Sequence, residues 1–487
     1  MLKSLFNKNK VILPDILKKF YSIFEAAGFE AYLVGGAVRD MFLNKAADDW
    51  DVATNAKPED VMKLFKMVIP TGIAHGTVTV HFMNNEIEVT TFRTESDYSD
   101  GRHPDKVNYA ATIEEDLSRR DFTMNAIAVN LKNGEIVDPF SGQKDIKNRI
   151  IRTVGNPTER FMEDGLRPIR ALRFATKLGF KIEYATYNEI SRPEILNKIS
   201  MISLERFRDE FIKILSSEKP SFGLKLMEQT GILKLFIPEL SDCRNVNQTD
   251  YRCFHEFDVL DHLFYACDGA PKDNLIVRIA ALFHDIGKPE AREIKACTVI
   301  DGDVPATPSS PAEKTVETVT FYRHEIFGEK ITRKILTRIK FSNDEINKVC
   351  HLVKEHMFHY ESTWTDAAVR RFIVRVNPEC INDLFDLRVA DVYGMHNQAV
   401  NLRSSQTSEN LIELKGRIKE ILLQQNALSL KDLKVSGKDL INAGIPAGKL
   451  MGTILKELME AVIEDPSQNE KGLLLKIAEN IYKQSVP

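Results

Sequence analysis

At 487 residues the chain is too long for a single hydrophobic core and implies about three or four domains. Its 43% hydrophobic and 28% charged residues fit a folded globular protein, and the net charge of −4 excludes a global pull towards nucleic acid, leaving only local basic patches for such binding. Six cysteines with no Cys-x-x-Cys spacing argue against a zinc ribbon or a disulfide framework and suit a reducing cytoplasm; no apolar stretch near Pro14 reads as a signal peptide or membrane span.

Taken in order, Val11 to Ala27 carries apolar residues at helical spacing (Ile16, Phe20, Ile23, Phe24). Ala31 to Val34 is a short apolar run expected to form a buried strand. Gly35-Gly36 breaks it, and Ala37 to Leu43 opens a helix. A strand, a glycine turn and a helix N-terminus aim backbone N–H groups at one point, which suits a phosphate, with Arg39 one turn further on. Trp50 to Thr54 reads as a second strand entered through Asp49 and Asp51, which alternation puts on one face. Two adjacent carboxylates repel unless a cation lies between them, and magnesium shared with substrate phosphates resolves that repulsion.

A helix is expected over Pro58 to Lys66, then strands over His75 to Val80 and Glu86 to Phe92 with Asn84-Asn85 as the turn between them. Glu88 reads equally well as a third carboxylate beside the pair or as an exposed strand residue. Arg93 to Val107 is a polar loop too long for a simple hairpin, and its length suits a lid. In Arg119-Arg120-Asp121-Phe122-Thr123-Met124-Asn125-Ala126, the two arginines suit a triphosphate or a base, and Asp121 suits ribose hydroxyls. A surface ion-pair cluster is the bland alternative. A hairpin at Asn133-Gly134 and the stretch Val137 to Gly142 close this region.

Pro168, tolerated only in a helix's first turn, places a helix start near Asp164. Asp164 and Arg167, three apart, share a face. They form either a cap with its ion pair or a base reader, and spacing alone leaves the two level. An aspartate only accepts and an arginine only donates. Cytosine (N4 and N3) and adenine (N6 and N1) each offer a donor beside an acceptor and fit such a pair, whereas guanine and uracil do not.

With these stretches in view, the chain strongly resembles the class II tRNA nucleotidyltransferases, the bacterial CCA-adding enzymes and their poly(A) polymerase relatives. Leu33 to Asp40, Asp49-Trp50-Asp51, Arg119 to Ala126, Asp138 to Gly142, Glu163 to Arg167 and Leu204 to Glu210 follow in family order. The resemblance implies an α+β chain: a small mixed-sheet head over residues 1–140, then an all-α neck over 141–245. It implies that Asp49 and Asp51 hold Mg2+, and that Gly35, Gly36, Arg39, Arg120, Asp121 and Asn125 belong to the nucleotide site. Asp164 and Arg167 then serve as a protein template for the base, and Arg170 and Arg173 as further nucleotide contacts. The expected substrates are CTP, ATP and the tRNA 3′ end. Tyr98 to Pro104 looks like the family's flexible loop, which favours the ability to add A.

Eight of the 11 histidines fall between His255 and His396. His262, then His284-Asp285 after an apolar helix, then Asp391 resembles the HD phosphohydrolase order, expected over residues 246–400 with a helical tail over 401–487. Those four residues are the expected ligands of a divalent transition metal such as nickel, manganese or cobalt. His255, His324 and His356 add a second metal or touch phosphate, while His351, His359 and His396 read as ordinary histidines. Glu290 to Thr320 reads as a surface loop. Lys434, Lys438 and Lys449 in the tail suit either a tRNA backbone or a solvated face. Alternatives are an A-adding enzyme or poly(A) polymerase, an HD hydrolase whose head holds nucleotide, and a non-catalytic RNA-binding protein.

Overall fold

In a computed structural model the chain forms two units, Met1–Ser241 and Asp242–Pro487. The structure describes residues 6–7, 10–45, 49–73, 76–96, 106–248, 257–300, 313–397, 406–424 and 429–485. The loop Tyr98 to Pro104, His75 and His255 lie outside them.

After a short antiparallel pair, Phe6–Asn7 with Lys10–Val11, the first unit runs through α1 (Asp15–Ala26), β1 (Ala31–Val34), α2 (Gly35–Phe42), β2 (Trp50–Thr54), α3 (Pro58–Leu64), β3 (Val68–Gly72), β4 (Thr77–Phe82) and β5 (Asn85–Thr91). A ribbon follows, β6 (Arg93–Ser96) with β7 (Lys106–Tyr109), then α4 (Ile113–Ser118), β8 (Ala128–Asn130) and β9 (Ile136–Val137). Among the described residues seven strands make one mixed sheet in the order β9-β8-β1-β2-β5-β4-β3, in which only β2 and β5 run parallel.

Alternation sorts the side chains onto two faces. Tyr32, Val34 and Ala53 join Phe92, Ile113 and Leu117 in one buried cluster. Val52, Val78, Val80 and Val89 turn the other way. On that side Phe82 meets Phe20 of α1 with ring centroids 5.3 Å apart, and Phe20 stacks on Phe65 at 4.8 Å. The two different clusters fix the strand register, because a one-residue slip would turn each of these residues to the opposite face and out of the cluster it fills.

Two local expectations are corrected here. The hairpin turns at Met83-Asn84, not Asn84-Asn85: both residues have positive φ (49° and 62°) and Phe82 pairs with Asn85. Pairing of Val78 with Val89 and Val80 with Ile87 decides the register, and it puts methionine in a left-handed position that propensity alone would give to asparagine. The stretch after Phe92 is not loop from its start, since Arg93–Ser96 pairs with Lys106–Tyr109.

Helices complete the unit: α5 (Gly142–Asn148), α6 (Pro157–Glu163), α7 (Leu166–Leu178), α8 (Tyr184–Ile190), α9 (Pro193–Ser200), α10 (Leu204–Leu215), α11 (Pro220–Gln229), α12 (Ile232–Phe236) and α13 (Pro238–Ser241). Asn156 and Ser203 cap α6 and α10, and Gly179 ends α7 with φ +67°. α7 packs on α10 and α11.

The second unit is mainly helical: α14 (Val259–Gly269), α15 (Leu275–Phe283), α16 (Lys288–Ala291), α17 (His324–Arg338), α18 (Asn343–Glu355), α19 (Asp366–Val376), α20 (Ile381–His396), α21 (Gln406–Leu423), α22 (Gly437–Asn442), α23 (Lys449–Glu464) and α24 (Lys471–Ser485). α14 packs on α20 and α15, and the last three helices bury Leu440, Ile454, Leu458 and Leu474 in a core of their own. The expected loop over Glu290 to Thr320 instead contains a helix end and two paired strands, β10 (Glu293–Ile300) and β11 (Glu313–Thr320). Their β-branched residues (Thr298, Val299, Ile300; Thr315, Val316, Val319) favour strand pairing over loop. Among the described residues no helix is long and apolar enough to cross a membrane.

Candidate active site and a second polar cluster

Asp51 sits at the open end of β2, opposite Val34 on one side and Glu88 on the other. Glu88, between two readings in sequence, therefore stands beside Asp51 on one face of a parallel strand pair, an arrangement that needed the strand register to be seen. Asp49 precedes the strand. Burial raises the Asp51 carboxyl, Glu88 and Asp49 raise it further against the pull of Arg120, and the result is a pKa of about 6.

Gly35 opens α2 with φ +69°. A Cβ there would lie 3.0 Å from Asp51 Oδ2 and 3.2 Å from Arg120 Nη1, so the turn admits only glycine beside the acid. A cavity of about 970 Å³ opens here. Its wall includes Gly35, Gly36, Arg39, Asp49, Asp51, Glu88, Arg120, Asp121, Asn125, Asp164, Arg167, Arg170 and Arg173, so every nucleotide-site residue expected from sequence lines one space. Among the described residues of that wall, nine arginines or lysines face five carboxylates, a balance that suits a polyanion.

Helix periodicity builds the basic wall. Arg167, Arg170, Arg173 and Phe174 recur at three- and four-residue spacing on α7. The Phe174 ring carries the guanidinium of Arg173 at 3.9 Å, Arg39 at 5.3 Å and Arg170 at 5.6 Å from its centroid. Each arginine has an anionic partner, and several of these were missed in sequence. The fully buried Asp116 accepts from Arg119 at 2.8 Å and Arg120 at 3.2 Å. Against its burial, these two cations hold its carboxyl below the usual range. Glu210 pairs with Arg173.

Asp121 does not stand open to a ribose in this structure. Its Oδ2 accepts from Arg170 Nε at 2.8 Å and Nη2 at 2.6 Å; its Oδ1 accepts from Phe122 N at 2.8 Å and Asn125 Nδ2 at 3.0 Å. Burial is overcome by Arg170 and Asn125, which lower its pKa to about 2. Asn125 Oδ1 in turn accepts from Arg39 Nη1 at 2.9 Å. Asp121 thus positions Arg170, and Asn125 links both to Arg39.

Asp164 and Arg167 line the same wall without pairing to each other. Asp164 Oδ1 accepts from Leu166 N, at the first residue of α7, at 2.9 Å, while Gly165 is the helix's cap residue. Its Oδ2 accepts instead from Arg206 Nη2 at 2.8 Å. Arg167 pairs with Glu163 and donates to the carbonyls of Arg160 and Arg119, both at 3.0 Å.

The acids fit magnesium by their chemistry: oxygen donors, one of them half-buried and held up in pKa by desolvation and by its anionic neighbours. Among the described residues they do not form a set of three ligating atoms within 4.8 Å.

Among the described residues of the second unit two such sets occur: His262, His284 and Asp391; and Asp285, His324 and His356, all six residues buried. His262 Nε2 lies 3.1 Å from His284 Nε2 and 3.3 Å from Asp391 Oδ1. Asp285 touches both sets, with Oδ2 3.4 Å from His262 and His284 and Oδ1 3.0 Å from His324 Nε2. His284, His324 and His356 direct Nδ1 to the carbonyls of Ala281, Phe321 and Val353 at 2.9, 2.8 and 2.7 Å. A carbonyl can only accept, so these Nδ1 atoms carry protons and Nε2 of each ring is left to face the centre. Burial lowers the His284 pKa, but Asp285 and Asp391 outweigh it and push it up to about 10, a demand for positive charge that a divalent ion meets. His351 Nε2 donates to the Val376 carbonyl, 2.7 Å away, and His359 is exposed, outside either set.

Comparison with known proteins agrees with this geometry. Residues 31–152 match the poly A polymerase head domain, 179–243 the RNA- and SrmB-binding site of polymerase A, and 316–478 tRNA nucleotidyltransferase domain 2. The "CCA-adding enzyme" of Ligilactobacillus salivarius (strain UCC118) is 31% identical over 97% of this chain and 99% of that protein. That of Lactobacillus helveticus (strain DPC 4571) is 50% identical over 42% of this chain and 51% of its own length. The structure of the Bacillus stearothermophilus CCA-adding enzyme in complex with CTP superposes with a TM-score of 0.70 at 25% identity, covering 97% of this chain and 99% of that one. The Thermotoga maritima CCA-adding enzyme complexed with tRNA shares the fold, with a TM-score of 0.53 at 18% identity and 96% of each chain covered. With the six stretches in order, Asp49, Asp51, Asp164 and Arg167 in one cavity, and a relative 31% identical over 99% of its length, this chain belongs to the class II tRNA nucleotidyltransferases, the family of the CCA-adding enzymes.

Proposed function

We infer that this chain rebuilds the 3′ end of tRNA, adding C and A from CTP and ATP without a nucleic-acid template and releasing pyrophosphate, in the cytoplasm. One observation carries the reading: a single cavity in the first unit is lined both by Asp49 and Asp51 and by Asp164 and Arg167. A nucleotide lying in it would meet the acids with its triphosphate and the couple with its base.

Asp49 and Asp51, with Glu88 beside them, would hold Mg2+, which supplies charge neutralisation where the terminal 3′-hydroxyl attacks the α-phosphate. Gly35 and Gly36 bring the start of α2 to the phosphates. Arg39, Arg120, Arg170 and Arg173 take up triphosphate charge, and the buried Asp116, Asp121 and Glu210 keep the last three in place. Asp164 accepts from the exocyclic amine of cytosine or adenine while Arg167 donates to the neighbouring ring nitrogen. Uracil and guanine would leave both groups facing like partners, a mismatch of buried polar groups.

Transcripts of tRNA ending before CCA, after C and after CC, each given one labelled nucleotide with Mg2+, test this at single-nucleotide resolution. The expected products are C, C and A in turn, with no G or U. Incorporation of A alone, or a long A tail, would replace this reading by an A-adding enzyme or a poly(A) polymerase; binding without turnover would leave an RNA-binding protein.

A second reading concerns the other unit, favoured by the six buried ligating side chains. His262, His284 and Asp391 would hold one divalent transition metal such as nickel, manganese or cobalt, and Asp285, His324 and His356 a second, with Asp285 reaching both. Such a pair supports hydrolysis of phosphate esters.

A further inference from the structure

The base reader poses a problem of its own. Asp164 and Arg167 have opposite charges, lie three residues apart at a helix start, and would neutralise each other by pairing. A couple closed on itself offers no open acceptor beside an open donor and reads no base.

In this structure each is held from outside. Glu163, one turn back, takes Arg167. Arg206, in the first turn of α10 and 42 residues away in sequence, donates to Asp164 Oδ2 at 2.8 Å, and both side chains are 17% exposed. The Leu166 N–H takes Oδ1 at 2.9 Å. With one donor on each oxygen the carboxylate is fixed in plane and keeps one acceptor site per oxygen. Arg206 itself lines the cavity.

We propose that Arg206 is a specificity-determining positioning residue: it holds the Asp164 carboxylate away from Arg167 and aimed at the base, and so enforces the choice of C and A over U and G. Its role rests on the base-reading function given above.

The test measures kcat/KM for CTP and for UTP on tRNA ending before CCA, in the wild type, Arg206→Met, Arg206→Lys, Asp164→Asn and the double variant Asp164→Asn/Arg206→Met. Arg206→Met is expected to lower the C-over-U preference by roughly tenfold or more. Arg206→Lys, which keeps charge but loses the fork, should restore part of it. In the Asp164→Asn background Arg206→Met should change the preference no further. Should Arg206→Met not fold, an intermediate preference in Arg206→Lys supports the proposal. A wild-type preference in whichever Arg206 variant folds, whatever the fall in overall rate, overturns it and leaves a tie between α10 and the helix corner. The wild-type measurement separates the two failures. No preference for C there defeats the base-reading function, whereas a preference that survives Arg206→Met defeats only the role of Arg206.

Discussion

At the residue scale, the chemistry turns on Asp51. Burial, Glu88 and Asp49 together lift its pKa to about 6, about two units above an ordinary aspartate. A carboxyl whose folded pKa is raised lends its stability below the unfolded value near 4, and loses it as pH rises through about 6. In the metal-free protein at pH 8, Asp51→Asn should therefore raise stability by about 1–2 kcal/mol after allowance for screening. Denaturant titration at pH 8 and pH 4.5 checks this: the gain should shrink at the lower pH and be offset by Mg2+ at pH 8, which binds the wild type alone. An equal gain at both pH values would show that charge is not its source. Asp49 and Asp51 were legible as two carboxylates within three residues at the entry to an apolar strand. Glu163 was within reach of sequence, since it lies four residues before Arg167. Arg206 was not, because nothing local joins it to Asp164 across 42 residues.

At the element scale, β1, α2, β2 and α7 were legible from apolar runs, glycine breaks and helical spacing. What failed was the exact turn at Met83-Asn84 and the ribbon β10–β11. In both, long-range pairing decides what local propensity leaves open. Glu88 shows the same limit, since its place beside Asp51 depends on β2 and β5 running parallel in register. The polar cluster of the second unit is also built from element ends. His284 follows α15, His356 follows α18 and His324 begins α17, so helix termini bring the rings together. Purified protein loaded with Mn2+ or Ni2+ should retain about two ions per chain on the reading that Asp285 spans both sets. His284→Ala should lose metal and any metal-dependent phosphatase activity while sparing nucleotide incorporation. Full metal retention in that variant would contradict the assignment.

At the scale of the whole molecule, a net charge of −4 coexists with a cavity whose wall carries nine basic against five acidic side chains among the described residues. Composition averages over both and could not have revealed the basic pocket; motif order did. The account's central claim is that the acids serving the phosphates and the couple reading the base address one nucleotide in one cavity. Incorporation by Asp164→Asn and Arg167→Gln on tRNA lacking CCA, with all four nucleotides in competition, tests this most directly. The account predicts that U or G enters at the expense of C and A while bond formation persists and still requires Asp51. An unchanged preference for C and A in both variants would contradict it.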